Sequence, residues 1–140
     1  MQFKDIVGQG IVKNHLREMY DKQRLAHATL FLGPEGSGTL PLALAFAQYV
    51  NCTGDKSGGD SCGQCPSCRK FAKLIHPDLH FVFPVVNKSK TSGKKTSCDD
   101  LLPEWRQLLG ETPYFNRLRF VFGSRLRHRC AALDSDASRL

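Results

Sequence analysis

The chain has 140 residues, enough for one domain with its own core, and its 20 Lys and Arg against 13 Asp and Glu give a formal charge of +7. No apolar run is long enough to span a membrane, and Met1-Gln2-Phe3-Lys4-Asp5 is not the start of a signal peptide. A cytoplasmic protein is expected, in which cysteines serve as metal ligands or thiols more often than as disulfides.

Ile11 to Gln23 places Ile11, Val12, Leu16, Met19 and Tyr20 on one face, with charged residues opposite, and predicts a helix. His27 to Leu32 is short and almost uniformly apolar, the pattern of a parallel strand buried on both sides. Leu40 to Val50 predicts a second helix running into Cys52, with Pro41 in its first turn, where a missing N–H costs little. Residues 53–61 are rich in Gly, Ser and Asp and read as a loop. Cys68 to Ile75 predicts a short helix stopped by His76-Pro77.

Leu79 to Val86 is apolar and β-prone, a second strand, and the basic stretch 87–98 reads as a flexible loop. Asp99 to Leu109 predicts an amphipathic helix, with Asp99 and Asp100 at its start and Pro103 in its first turn. Leu101, Leu102, Trp105, Leu108 and Leu109 form its buried side, and Gly110 ends it. The strand–helix alternation predicts an α/β layered domain with a parallel sheet and flanking helices.

Between the first strand and the second helix lies Gly33-Pro34-Glu35-Gly36-Ser37-Gly38-Thr39-Leu40. A strand–loop–helix setting aims backbone N–H groups and a helix N-terminus at a phosphate. The pattern GxxxxGK[ST] calls for Lys at position 39 and a hydroxyl at 40, where this chain has Thr39 and Leu40. Either the lysine is replaced, or one residue is deleted and Thr39 takes the hydroxyl position. No Lys or Arg between Arg24 and Lys56 stands in for it. Loss of one charge-assisted hydrogen bond, about 1.5–3 kcal/mol, weakens nucleotide binding roughly ten- to a hundred-fold. Hydrolysis suffers more, because such sites stabilise charge at the transferred phosphoryl group. The plain alternative is a Gly-rich turn that joins a strand to a helix.

Cys52, Cys62, Cys65 and Cys68 form a C-x9-C-x2-C-x2-C pattern within a module spanning 52–75. Two overlapping C-x2-C units gather three thiolates in a knuckle, and a fourth from the end of the preceding helix can close a tetrahedron. Four sulfur ligands suit Zn²⁺ in a structural role and leave no open position for activating water. An iron–sulfur cluster is the competitor, but the next cysteine of a ferredoxin-type run would fall at Ala72. His76-Pro77-Asp78 reads as a helix-stop turn rather than as ligands. Cys98 and Cys130 read as free thiols, and His15, His80 and His128 carry no pattern. No Ser/His/Asp arrangement can be proposed from spacing.

Basic residues cluster at Lys88, Lys90, Lys94 and Lys95 and at Arg117, Arg119, Arg125, Arg127 and Arg129, which suits a solvated loop and tail as well as a binding face. Phe71, Phe81, Phe83 and Trp105 look like core positions, not a stacking platform beside basic residues.

The combination of loop and cysteine quartet resembles the N-terminal AAA+ domain of bacterial DNA polymerase III clamp loader subunits. The residues carrying the resemblance begin with Phe3-Lys4-Asp5-Ile6-Val7-Gly8-Gln9, similar to the family's "GQ" box beside the adenine pocket. They continue through Arg24-Leu25-Ala26-His27-Ala28 and Phe31-Leu32-Gly33-Pro34, then through Cys52, the run from Cys62 to Cys68, and His76-Pro77-Asp78. The resemblance covers residues 1–118 and implies a P-loop NTPase-like fold, C-terminally incomplete, with an inserted zinc module.

By that resemblance Val7, Gly8 and Gln9 would lie near a base, and Gly33, Gly36, Ser37, Gly38 and Thr39 near phosphate. Thr39-Leu40 is similar to the family's delta-prime branch, whose loop is often degraded and which acts as a stator. Such a subunit would assemble with the gamma/tau motor and delta subunits and help load the sliding clamp onto primed DNA, with little or no ATP hydrolysis of its own. A gamma/tau-like motor with an atypical loop and a zinc-knuckle nucleic-acid-binding module are the alternatives. The Walker B run, the Ser-Arg-Cys motif and the collar domain are not visible, and 119–140 reads as a tail in a shifted frame.

Overall fold

The computed structural model describes residues 1–83, 85, 97–111, 113 and 114. A 3-10 turn at Phe3–Asp5 leads into α1 (Gly10–Asp21); α2 (Thr39–Val50) and α3 (Pro66–Ala72) follow, and a 3-10 turn at Asp99–Leu101 runs into α4 (Leu102–Glu111).

α2 is the centre of the structure. Its sequence is apolar nearly all round, which requires burial on more than one side, and Pro41, Leu42, Leu44, Ala45, Phe46, Gln48 and Tyr49 are all buried. One face packs with Phe3, Ile6 and Leu16 in a cluster that also takes in Tyr20 and Phe31. Tyr49 meets Phe3 at 5.4 Å and the edge of Tyr20 at 5.1 Å between ring centroids. On another face, Leu44 joins Phe83, Trp105 and Leu109, where the Trp105 and Phe83 rings stack at 4.4 Å. Offset and edge-on ring pairs of this kind add about 0.5–1.5 kcal/mol each beyond the area they bury.

Two helices end on Schellman motifs without glycine. After α1, Gln23 takes a left-handed φ of 54°, Arg24 N–H donates to Met19 O and Gln23 N–H to Tyr20 O, both at 2.9 Å. After α3, Leu74 has φ 56°, Ile75 N–H donates to Lys70 O at 3.0 Å and Leu74 N–H to Phe71 O at 2.9 Å. The third helix thus closes through Leu74, and His76-Pro77, expected to stop it, forms a separate turn in which Leu79 N–H donates to His76 O at 3.0 Å. Gly110 lies inside α4 instead of ending it.

The expected parallel sheet is not present among the described residues, which contain no strand. A strand is a relation to a neighbour, and the described residues of His27–Leu32 and Leu79–Val86 form no ladder with one another. Their side chains nevertheless alternate. Phe31 packs inward while Leu30 and Leu32 are 79% and 82% exposed; Phe81 and Phe83 pack inward while Val82 is exposed. This is the period-two burial of a strand covered on one face, not the two-sided burial expected for His27–Leu32. The expectations for 119–140 and for most of the loop at 87–98 lie outside the described residues, as does Cys130.

Candidate metal centre and phosphate-loop cavity

The four cysteines converge as their spacing predicts, with all four sulfurs within 4.8 Å of one another. Cys52 Sγ lies 3.5 Å from Cys62 Sγ and 4.0 Å from Cys65 Sγ, and Cys62 Sγ lies 4.0 Å from Cys68 Sγ. A tetrahedral ion with metal–sulfur bonds near 2.3 Å needs sulfurs about 3.8 Å apart. The donor set is therefore within small shifts of what a thiophilic divalent ion needs.

The backbone is folded to serve these sulfurs. Cys62 N–H points to Cys52 Sγ, Cys65 N–H to Cys62 Sγ and Cys68 N–H to Cys65 Sγ, at 3.3, 3.3 and 3.4 Å. Cys65 is also the N-cap of α3, with Pro66 in the first turn, so its sulfur sits where helix N–H groups favour negative charge. Gly54 is required by close approach: a Cβ there would lie 2.5 Å from Cys62 Sγ.

Burial opposes ionisation of Cys65, but the Cys68 and Thr53 donors outweigh it and hold its thiol at about 5. The Cys65 and Gln64 N–H groups likewise lower Cys62. Burial, then donation to Cys65, pushes Cys68 up to about 12. These shifts belong to one cluster, in which ionising some thiols makes the next harder to ionise. A divalent cation would remove that repulsion.

A polar clasp that spacing did not reveal ties this module to the start of the chain. The Asp60 carboxylate accepts from Phe3 N–H at 3.1 Å, Lys4 N–H at 2.9 Å and Ser61 N–H at 2.7 Å. Gln2 Nε2 donates to Ser61 O. Gln48, the buried polar residue of α2, donates to Ser61 Oγ at 3.0 Å and accepts from the Met1 amino group at 3.0 Å. Lys56 reaches the other way, donating to Tyr20 Oη at 2.6 Å while lying 4.0 Å from the centroid of that ring.

Ser67, His76 and Asp78 come together as well, but not as a catalytic set. Asp78 N–H donates to His76 Nδ1 at 3.2 Å, so Nδ1 accepts and Nε2 carries the proton toward Ser67 Oγ at 3.1 Å. A histidine already donating to a serine cannot take its proton. With its ring stacked 4.4 Å from Phe71, His76 locks the turn onto α3.

Of the residues expected at a nucleotide, Gln9, Gly33, Ser37 and Thr39 border one cavity, while Val7, Gly8, Gly36 and Gly38 do not line it. Gln9 Nε2 donates to Ser37 O at 3.1 Å, joining the Val7-Gly8-Gln9 segment to the loop. Beside that contact is a cavity of about 410 Å³, bordered by Gln9, His15, Gly33, Ser37, Thr39 and Leu42. Among the described residues its lining contains no Lys or Arg. Lys13, on α1, is engaged elsewhere, donating to Ile6 O at 2.6 Å. Ser37 Oγ is buried without a hydrogen-bond partner and occupies the space a Cβ on Gly33 would need, 2.5 Å away. At the start of α2, Pro41 removes one N–H, leaving those of Thr39 and Leu40 in the first turn. Val7 does not line the cavity; its side chain is exposed and its N–H is bound by Tyr114, a residue the sequence did not single out. Cys98 stands apart from the cluster and donates to Phe83 O at 3.2 Å.

Known proteins are similar to parts of this chain. DNA polymerase III subunit delta' of Bacillus subtilis is 41% identical over 64 residues, 46% of this chain and 19% of its own length. Subunit tau of the same organism is 34% identical over 68 residues, 49% of this chain and 12% of its own. Protein STICHEL-like 1 of Arabidopsis thaliana is 34% identical over 122 residues, 87% of this chain and 10% of its own. The chain thus spans a fifth or less of each of these relatives, and no solved structure matches it. The family described as DNA polymerase III, delta subunit, matches residues 8–122, and the chain belongs to this clamp-loader family.

Proposed function

We propose that the chain acts as a non-catalytic, stator-type component of the DNA polymerase III clamp loader, of the delta-prime kind. The observation that carries this reading is the cavity beside the loop, whose described lining has no Lys or Arg and where Thr39 and Leu40 stand at the positions that the pattern gives to Lys and a hydroxyl. A triphosphate placed there would meet backbone N–H groups and the side chains of Gln9, His15, Ser37 and Thr39 but no described Lys or Arg, too little to hold developing charge on a transferred phosphoryl group. The relative named delta' supports the branch.

The cysteine cluster would hold Zn²⁺ through Cys52, Cys62, Cys65 and Cys68. The ion would crosslink the end of α2 to α3 and supply no open position for chemistry. Partners of this reading are the gamma/tau motor subunits, the delta subunit, the sliding clamp and, through the complex, primed DNA. The setting is the cytoplasm; no described helix is long and apolar enough to cross a membrane.

The test is co-purification of the metal-loaded chain with tau and delta, alongside an ATPase assay of the chain alone. Stable capture without Mg²⁺-dependent turnover is expected. Saturable turnover would instead favour a motor subunit. Salt-sensitive DNA binding by the isolated chain without capture would favour a nucleic-acid module.

A further inference from the structure

One side chain bridges three parts of the molecule that are distant in sequence. Tyr114 Oη accepts from Val7 N–H at 3.0 Å, across 107 positions. Its ring also lies against Gly38, the N-cap of α2: a Cβ at position 38 would meet ring Cε1 at 2.8 Å. Gly38 has a φ of +82°, so the ring occupies space that only glycine leaves free in this conformation.

The segment that Tyr114 holds is built like a hinge. Gly8 and Gln9 follow Val7 with φ of 65° and 59°, two consecutive left-handed residues directly ahead of α1. A non-glycine residue is sterically disfavoured in that geometry, so contacts must hold Gln9 there. On its far side Gln9 Nε2 is bonded to Ser37 O, the residue before Gly38. Hinge and loop therefore meet twice, once directly through Gln9 and once through Tyr114, and the Gln9–Ser37 contact lies at the border of the cavity.

We propose that Tyr114 is a latch between the turn after α4 and the phosphate-loop remnant. Seated, it fixes the Gly8–Gln9 hinge and the start of α2 against each other and keeps the loop closed. Withdrawn, it frees Val7 N–H and the Gly38 surface together, and the cavity opens at the Gln9–Ser37 border. Any interaction that pulls the Pro113–Tyr114 turn away would be transmitted to the loop without touching it. The inference does not depend on which clamp-loader subunit the chain is.

Amide hydrogen exchange on the full, metal-loaded chain tests this with two variants. Tyr114→Phe removes the hydroxyl and keeps the ring. Exchange at Val7 should rise tenfold or more, with Ser37, Gly38 and Thr39 unchanged. Tyr114→Ala removes both contacts, and exchange should rise at Val7 and at Gly38–Thr39 together, while Cys62, Cys65 and Cys68 stay as protected as in the parent chain. Unchanged Val7 exchange in Tyr114→Phe would overturn the latch. So would accelerated exchange throughout Tyr114→Ala, cysteine knuckle included, since that would make Tyr114 an ordinary packing residue. If Tyr114→Ala does not fold, the Val7 exchange of Tyr114→Phe decides alone.

Discussion

The cysteine module and the loop region are joined by α2, yet they are held in opposite ways. Around residues 52–68 the polar groups are largely matched: sulfurs receive backbone N–H groups, and Asp60, Ser61 and Gln48 bind the N-terminal turn. Across residues 27–38 the backbone makes few bonds to other described residues, and Leu30 and Leu32 are exposed among them. There the loop rests on single contacts from Gln9 and Tyr114. A ligand set closed by one ion completes itself locally, whereas an extended segment is completed only by a neighbour that supplies ladder bonds.

The sharpest way to break this contrast is to open the cysteine cluster. Cys65→Ser should release the ion and loosen residues 52–75 together with the N-terminal turn. Bound zinc in small zinc-finger peptides contributes about 10–16 kcal/mol at neutral pH, so even a fraction of that should abolish a cooperative melt. Elemental analysis showing full metal content in the variant would sink the assignment.

Acid should act on the same centre more gradually. With Cys65 held low and Cys68 pushed up, ion uptake at neutral pH must displace thiol protons from the cluster, that of Cys68 above all. Protons compete with the ion, so affinity falls as pH falls, by roughly tenfold per unit for each displaced proton. The fall should steepen below about 5, where Cys65 begins to retain its own proton. Calorimetric titrations in buffers of different ionisation enthalpy would count those protons, and an uptake independent of pH would exclude thiol ligation.

A smaller effect separates the clasp from the ion. Asp60→Ala deprives Phe3 and Lys4 N–H of their acceptor. The expected cost is about 2–3 kcal/mol, in line with hydrogen bonds to a charged group. Exchange should rise at Phe3 and Lys4 with metal content unchanged; loss of metal would show that clasp and cluster are one unit. Least of all should Leu32→Ser matter, because an exposed side chain away from buried contacts shifts stability by about 0.5 kcal/mol or less. A shift several times larger in thermal melts would mean that Leu32 is covered in solution.

The helices and the cysteine centre were legible because their signals are local. Apolar spacing placed α1, α2 and α4 within a few residues, and a C-x2-C-x2-C run leaves its sulfurs little choice. What spacing could not show are relations across the chain. Asp60 gave no sign that it would bind residues 56 and 57 positions earlier, and Tyr114 none that it would sit on Gly38. The helix ends were misread because Leu74 accepts a left-handed conformation usually left to glycine, while Gly110 does not use its freedom. The strands were read from composition alone, and alternate burial in Leu30-Phe31-Leu32 is visible only once the core is known.

The Asp60 clasp also says something about the order in which this molecule assembles. The Cys52–Cys65 pair closes across 13 positions, the Asp60–Phe3 contact across 57. Closing the longer loop costs about 1 kcal/mol more in chain entropy, and Asp60, the carboxylate that anchors it, lies inside the loop that Cys52 and Cys62 close. The knuckle should therefore organise first and the amino-terminal turn dock onto it afterwards. Metal availability would then set the pace at which the beginning of the chain finds its place.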